Sequence, residues 1–209
     1  MQLRRSYFFI AGALLLLGGV ITASGMSGGM RGMMQDGMQE ILPPGLPPEL
    51  LPEAQSTGAK LLQRYCTQCH LLPGPGRHTT EEWPAVLARM LKRMDHMSGG
   101  MMSMMMGRID TPSIAEQRTL RDYLQRHAQK AIDPAQFPAL DNTAAGQAFA
   151  ATCSRCHALP DPRQHTAIEW IGVEGRMQRN MNIMGRSIPD EATLQQILMF
   201  LQERARTEE

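Results

Sequence analysis

The sequence predicts an all-α protein, and three observations carry that expectation. No stretch alternates apolar and polar residues as a half-buried strand does. Trp83, Val86, Leu87, Met90, Met94 and Met97 recur at i, i+3, i+4 and i+7 spacing, the period of one helix face. The second half repeats that stripe as Trp170, Val173, Met177, Met181 and Met184. Of the 209 residues 43% are hydrophobic, so the chain can build a packed core. Lys+Arg number 21 and Asp+Glu 20, for a net charge of +1, which lacks the basic excess of a nucleic-acid binder. Aromatic residues are only 5%, and methionine is unusually abundant at 18 residues.

Residues 1–23 read as a signal peptide or a membrane anchor. Arg4 and Arg5 precede an apolar run from Tyr7 to Ala23, the order of an export signal. The run of about 17 residues sits at the lower limit of a membrane span, so residues 7–23 could tether the chain. Thr22, Ala23, Ser24 and Gly25 are small enough for cleavage. Residues 24–55 are expected to be a Met-, Gly- and Pro-rich linker, since proline fixes φ and removes donors. Met30, Met33, Met34 and Met38 there are soft thioethers suited to Cu(I), or else part of a greasy tether.

The remainder is an internal duplication. At an offset of 87, residues 66–97 align with 153–184 without a gap, and 15 of 32 positions are identical. Chance would give about 2 at ordinary residue frequencies. The last helices align at an offset of 77, through Leu120/Ile197, Tyr123/Phe200, Leu124/Leu201 and Gln125/Gln202. The first copy therefore holds ten extra residues, and the Met- and Gly-rich tract 98–107 lies where they must fall. The copies span 56–131 and 141–209, with a second linker at 132–140.

Each copy reads as three helices. Lys60 to Tyr65 and Gln147 to Thr152 lead into the cysteines. Thr79 or Thr80, with Glu81 and Glu82 in the first turn, opens the Trp83 helix. Ser113 and Glu116 have capping-box spacing, and Pro189-Asp190-Glu191 starts the last helix.

The four cysteines fall in two identical motifs, Cys66-Thr-Gln-Cys69-His70 and Cys153-Ser-Arg-Cys156-His157. C-x-x-C-H is the spacing of covalent haem attachment: each thiol adds to a vinyl group, and the adjacent imidazole reaches the iron. A zinc site would have to gather ligands from two distant motifs. A thioredoxin-like pair would need a βαβ context, which is missing. A unit of about 70 residues buries too little surface for a strong core, and a haem would supply the rest.

On these residues the chain resembles a dihaem c-type cytochrome built from two tandem short class I cytochrome c domains. The shared pattern is C-x-x-C-H, a Pro-containing loop, Trp, Met seven residues on, and a terminal amphipathic helix, over residues 58–131 and 144–205. The resemblance implies two covalently bound haem c groups, on Cys66 and Cys69 and on Cys153 and Cys156. His70 and His157 would be proximal ligands, with a methionine sulfur opposite each. A ligand needed twice should recur in the repeat, which leaves Met90/Met177, Met94/Met181 and Met97/Met184. Met90 and Met177 fit best, seven residues after the tryptophans. His78 and His165 also repeat, and are expected to cap a helix or bond a haem edge rather than ligate. Arg89 and Arg176 would pair with haem propionates or face solvent. His96 and His127 have no counterparts and are expected at the surface.

A His/Met haem has no open position. The expected role is therefore a periplasmic carrier of single electrons between redox protein partners, not an enzyme. The alternatives are a cytochrome subunit of a dehydrogenase complex and a dihaem redox enzyme, peroxidase-like or thiosulfate-oxidising. The catalytic case needs one iron without a firm distal ligand, and the near-equality of the copies argues against it. Residues 56–131 carry 11 basic and 6 acidic side chains, a balance of +5, against 7 and 9, or −2, for residues 141–209.

Residues 98–107 occur in one copy only, so the fold of the unit does not require them. Such a soft, apolar loop would be a docking edge or a lid. Deleting it should leave the visible spectra of both haems intact. Collapse of one spectrum would instead place an iron ligand in the loop.

Overall fold

The computed structural model describes residues 44–99 and 108–207. The expected signal segment, most of the first linker and the Met-rich tract from residue 100 on lie outside those residues. Helix dominates, and no strand forms among the described residues. None of the described helices is long and apolar enough to cross a membrane.

The first half contains α1 (Thr57–Cys66), α2 (Trp83–Ser98) and α3 (Ile114–Arg126). The second contains α4 (Ala139–Asn142), α5 (Ala144–Cys153), α6 (Ala167–Ile183) and α7 (Glu191–Glu203). Two of the expected helix starts are present: Ser113 and Glu116 form a capping box, and Asp190 accepts from the Thr193 N–H, whereas the start expected at Thr79 or Thr80 falls at Trp83. Helix α2 begins later than its counterpart α6. Pro84 has no N–H to offer the Thr80 carbonyl, so the helical pattern is unbroken only from Trp83. Ile171 stands at that place in α6.

Two apolar clusters form. The first gathers Leu51, Leu62, Tyr65, Leu72, Trp83, Leu120, Tyr123 and Leu124, where α1 and α2 pack on α3. The second gathers Leu140, Phe149, Leu159, Trp170, Ile197, Phe200 and Leu201, where α5 and α6 pack on α7. Helices α1 and α3 approach closely at Gly58, where a Cβ would meet the Tyr123 Cβ at 2.5 Å and its ring at 2.6 Å. In the second half Phe149 stacks on Phe200, with centroids 5.3 Å apart. Gly146 lets α5 pass the Ala139 carbonyl, which a Cβ would meet at 2.0 Å.

The sequence repeat is also a repeat of hydrogen bonds. The Trp83 indole N–H donates to the Pro75 carbonyl at 2.7 Å, and Trp170 donates to Pro162 at 2.8 Å. The Glu82 carboxylate accepts from the Thr79 N–H at 2.9 Å, and Glu169 accepts from Thr166 at 2.8 Å. Gln125 Nε2 donates to the Thr80 carbonyl and Gln202 Nε2 to that of Ala167, both at 3.0 Å. The Gln129 N–H reaches the His78 carbonyl at 3.0 Å, and the Arg206 N–H that of His165 at 3.1 Å.

The expected linkers differ from what the structure shows. In the first, Leu51 is buried, the Leu46 N–H donates to the Leu72 carbonyl at 2.9 Å, and Tyr123 donates to Pro52 O at 2.7 Å. In the second, Leu140 is buried and Phe137 packs beside Phe200. Proline made both segments read as spacers, yet each carries a leucine that the following helices need as core. The halves meet directly. Gln129 bonds to the first half, while Ile132 N–H donates to the Leu159 carbonyl at 3.0 Å and Asp161 N–H to Lys130 O at 2.8 Å. Gln164 Oε1 accepts from the Lys130 N–H at 2.7 Å.

Trp83→Phe and Trp170→Phe keep most of the apolar bulk but leave a buried carbonyl without its donor. Each should cost about 1–3 kcal/mol in a urea titration. A loss well below 1 kcal/mol would mean that water replaces the indole.

Candidate functional site

Each cysteine motif starts at a helix end. Cys66 closes α1 and Cys153 closes α5, both reached through a helix N-capped by Ser56 or Thr143. No disulfide joins any of the four cysteines. Cys66, Cys69 and Cys153 are half-buried, whereas Cys156 is exposed. Cys66 packs against the first cluster and Cys153 against the second. Burial pushes the Cys66 thiol up to about 12, with neighbouring Cys69 adding to the effect. Burial does the same for Cys153, assisted by the Glu174 carboxylate. Both groups are therefore protonated thiols at neutral pH rather than thiolate nucleophiles.

The imidazoles after the motifs are held alike. His70 Nδ1 donates to the Leu71 carbonyl at 2.7 Å, and His157 Nδ1 to the Ala158 carbonyl at 2.8 Å. A carbonyl only accepts, so the proton sits on Nδ1 and Nε2 carries the lone pair. Both rings are half-buried. A backbone carbonyl on one ring nitrogen is the usual partner of a histidine that ligates through the other.

His78 and His165 are oriented differently. Each ring stands edge-on to its tryptophan, at 4.9 Å between centroids and 84° between planes. Their Nδ1 atoms lie 3.6 and 3.7 Å from Glu82 and Glu169. They brace the start of the Trp helix, in line with a structural role. Burial lowers both pKa values below the ordinary 6.5, against the opposing pull of Glu82 and Glu169.

Of the repeated methionines, Met94 packs against the first cluster. Met90 Sδ lies 4.0 Å from Arg93 Nη1. Met90, Met97, Met177, Met181 and Met184 are half-buried on α2 or at the end of α6. Each of these helices fully buries only its tryptophan. The methionine stripe is thus an apolar surface that protein atoms cover in part. Arg89 is exposed and Arg176 half-buried. His96 is exposed as expected, but His127 is not a surface residue. It lies 4.8 Å from the Tyr123 ring and 3.7 Å from Glu53, with only 15% of its side chain exposed. Its place at the end of α3, beside the folded-back linker, gave no signal in the repeat.

Among the described residues no three His, Cys, Asp or Glu side chains gather as a metal cluster. Such a set is what a structural zinc site draws on, and the observation concerns that kind of site alone. It leaves haem chemistry untouched, since a haem takes at most two axial donors from the chain. Two thiols, an imidazole with a free Nε2 and a thioether-bearing helix per half make a donor set suited to that group. Glu174 escaped sequence reasoning, although its signal was present as the acid that faces Leu87 in the repeat.

No family model, no curated protein and no solved structure matches the chain.

The two bracing histidines make stability depend on pH. Their folded pKa lies below the unfolded value of 6.5, so the unfolded chain binds protons first. Their contribution is complete above pH 6.5 and is lost as pH falls through the folded values. Urea midpoints should drop between pH 7.5 and pH 5. The double variant His78→Gln/His165→Gln should flatten that drop, and an undiminished slope would assign it elsewhere.

Proposed function

We propose that the chain is a dihaem c-type cytochrome that passes single electrons between redox proteins outside the cytoplasm. The observation that carries this reading is the twice-repeated imidazole. In both halves the histidine after C-x-x-C donates Nδ1–H to the next carbonyl and keeps Nε2 for a metal. In this reading Cys66, Cys69, Cys153 and Cys156 hold the haems by thioether bonds. In each bond the sulfur adds to one vinyl carbon and the thiol hydrogen goes to the other. His70 and His157 are the proximal ligands. Met90 and Met177 are the distal ones, drawn from the incompletely covered stripe on α2 and α6.

Bound haem supplies reversible one-electron chemistry at iron. The chain's part is to hold both faces of the iron, exclude water with the apolar clusters and fix the two sites relative to each other. The hydrogen bonds of residues 129–132 support a relay. They join the His78 loop of the first half to residues 158–161, directly after His157. A firm connection keeps the distance between two redox centres constant. Basic residues 4 and 5 before an apolar run support export, which covalent haem attachment requires.

Two covalent haems per chain are expected after expression with a c-type maturation system. Acid-acetone extraction should leave them on the protein; freely extracted haem, or one per chain, overturns the reading. Met90→Ala and Met177→Ala should each abolish one haem's weak near-infrared sulfur-to-iron band and lower its potential, because loss of a thioether favours ferric iron. The same loss in Met97→Ala and Met184→Ala, and not in the first pair, would move the ligand two turns along the helix.

A further inference from the structure

The halves repeat one frame, so a residue that breaks the repeat beside one site sets the two sites apart. Position 87 is such a place. Leu87 packs against the first cluster together with Cys66. Its counterpart is Glu174. Glu174 is half-buried on α6, directly after Val173, which packs with Cys153 on the second cluster. Gln178 Nε2 donates to its Oε1 from one turn on. No salt bridge among the described residues involves it. Its influence on the Cys153 thiol, with no counterpart at Cys66, agrees with that placement.

We infer that Glu174 makes the second haem the lower-potential member of the pair, so that electrons enter through the second half and leave through the first. The inference rests on the dihaem reading above. A carboxylate in a partly desolvated position favours the iron state with one more positive charge, which is the ferric state. Leu87 exerts no such pull on the first site. In the internal step the second iron goes from Fe(II) to Fe(III) and the first from Fe(III) to Fe(II), with no proton moved. A one-electron donor protein refills the second site, and a one-electron acceptor protein empties the first. Apart from Glu174 itself, the balance of −1 left for residues 141–209 and the +5 for residues 56–131 act in the same direction. Exposed charges are screened, so each counts for less than Glu174.

The test is a spectroelectrochemical titration of the full-length dihaem protein. Two midpoint potentials are expected. Glu174→Gln keeps a carbonyl oxygen for Gln178 and removes the charge. It should raise the lower potential and leave the upper one in place, changing the electron distribution between the haems roughly tenfold. Glu174→Leu, which installs the first half's own residue, should do the same, and Glu174→Asp should keep the wild-type separation. Unmoved potentials in the Gln and Leu variants, or a shift of the upper potential alone, overturn the inference while the dihaem reading stands. Fewer than two covalent haems in the wild-type protein overturns both.

Discussion

The bond from each buried indole N–H to a proline carbonyl, Trp83 to Pro75 and Trp170 to Pro162, fixes the frame of its half. A tryptophan can be buried without penalty only if its one donor is satisfied. Here the acceptor lies eight residues earlier, in the loop that follows the cysteine motif. The bond therefore sets where that loop meets the next helix. It also turns the adjacent histidine edge-on to the ring, from where the imidazole approaches the glutamate that accepts from the Thr79 or Thr166 N–H. Loop, cap and helix direction follow from one satisfied donor, and they follow twice.

The same economy governs the junction. A segment that closes one half and opens the next needs no independent stability if its backbone is already bonded on both sides. Residues 129–132 meet that condition, with Gln129 bonded to His78 and Ile132 to Leu159. The preceding half is closed at its other end in a related way. The Leu46 N–H donates to Leu72 O, and the Arg77 guanidinium holds the Pro44 carbonyl at 2.7 Å. Gln164, at the place of Arg77 in the repeat, performs the matching task on Lys130. Different side chains thus hold the segment that precedes each half, Pro44 in one and Lys130 in the other, because the position needs a donor or acceptor of sufficient reach rather than a charge.

Partners, rather than burial, separate two classes of histidine that both recur in the repeat. His70 and His157 spend Nδ1 on a backbone carbonyl and leave Nε2 available. His78 and His165 direct Nδ1 at a carboxylate and press an edge against indole. The first arrangement prepares a ring for an electrophile, and the second holds a neutral ring as part of the wall.

The sequence by itself determined the helical class, the duplication, the cysteine motifs and most helix starts. Those features depend on local chemistry: periodicity, capping residues and the spacing of thiols within a few positions of each other. The Trp83 helix start was legible to within a turn and displaced only by Pro84. The sequence did not reveal that Leu51 and Leu140 leave their proline-rich segments to complete the cores, that His127 turns inward against Glu53, or that Glu174 is half-buried on α6. These were decided by tertiary structure, because each depends on which distant surface a side chain meets when the helices cross. A spacing pattern holds no record of that partner.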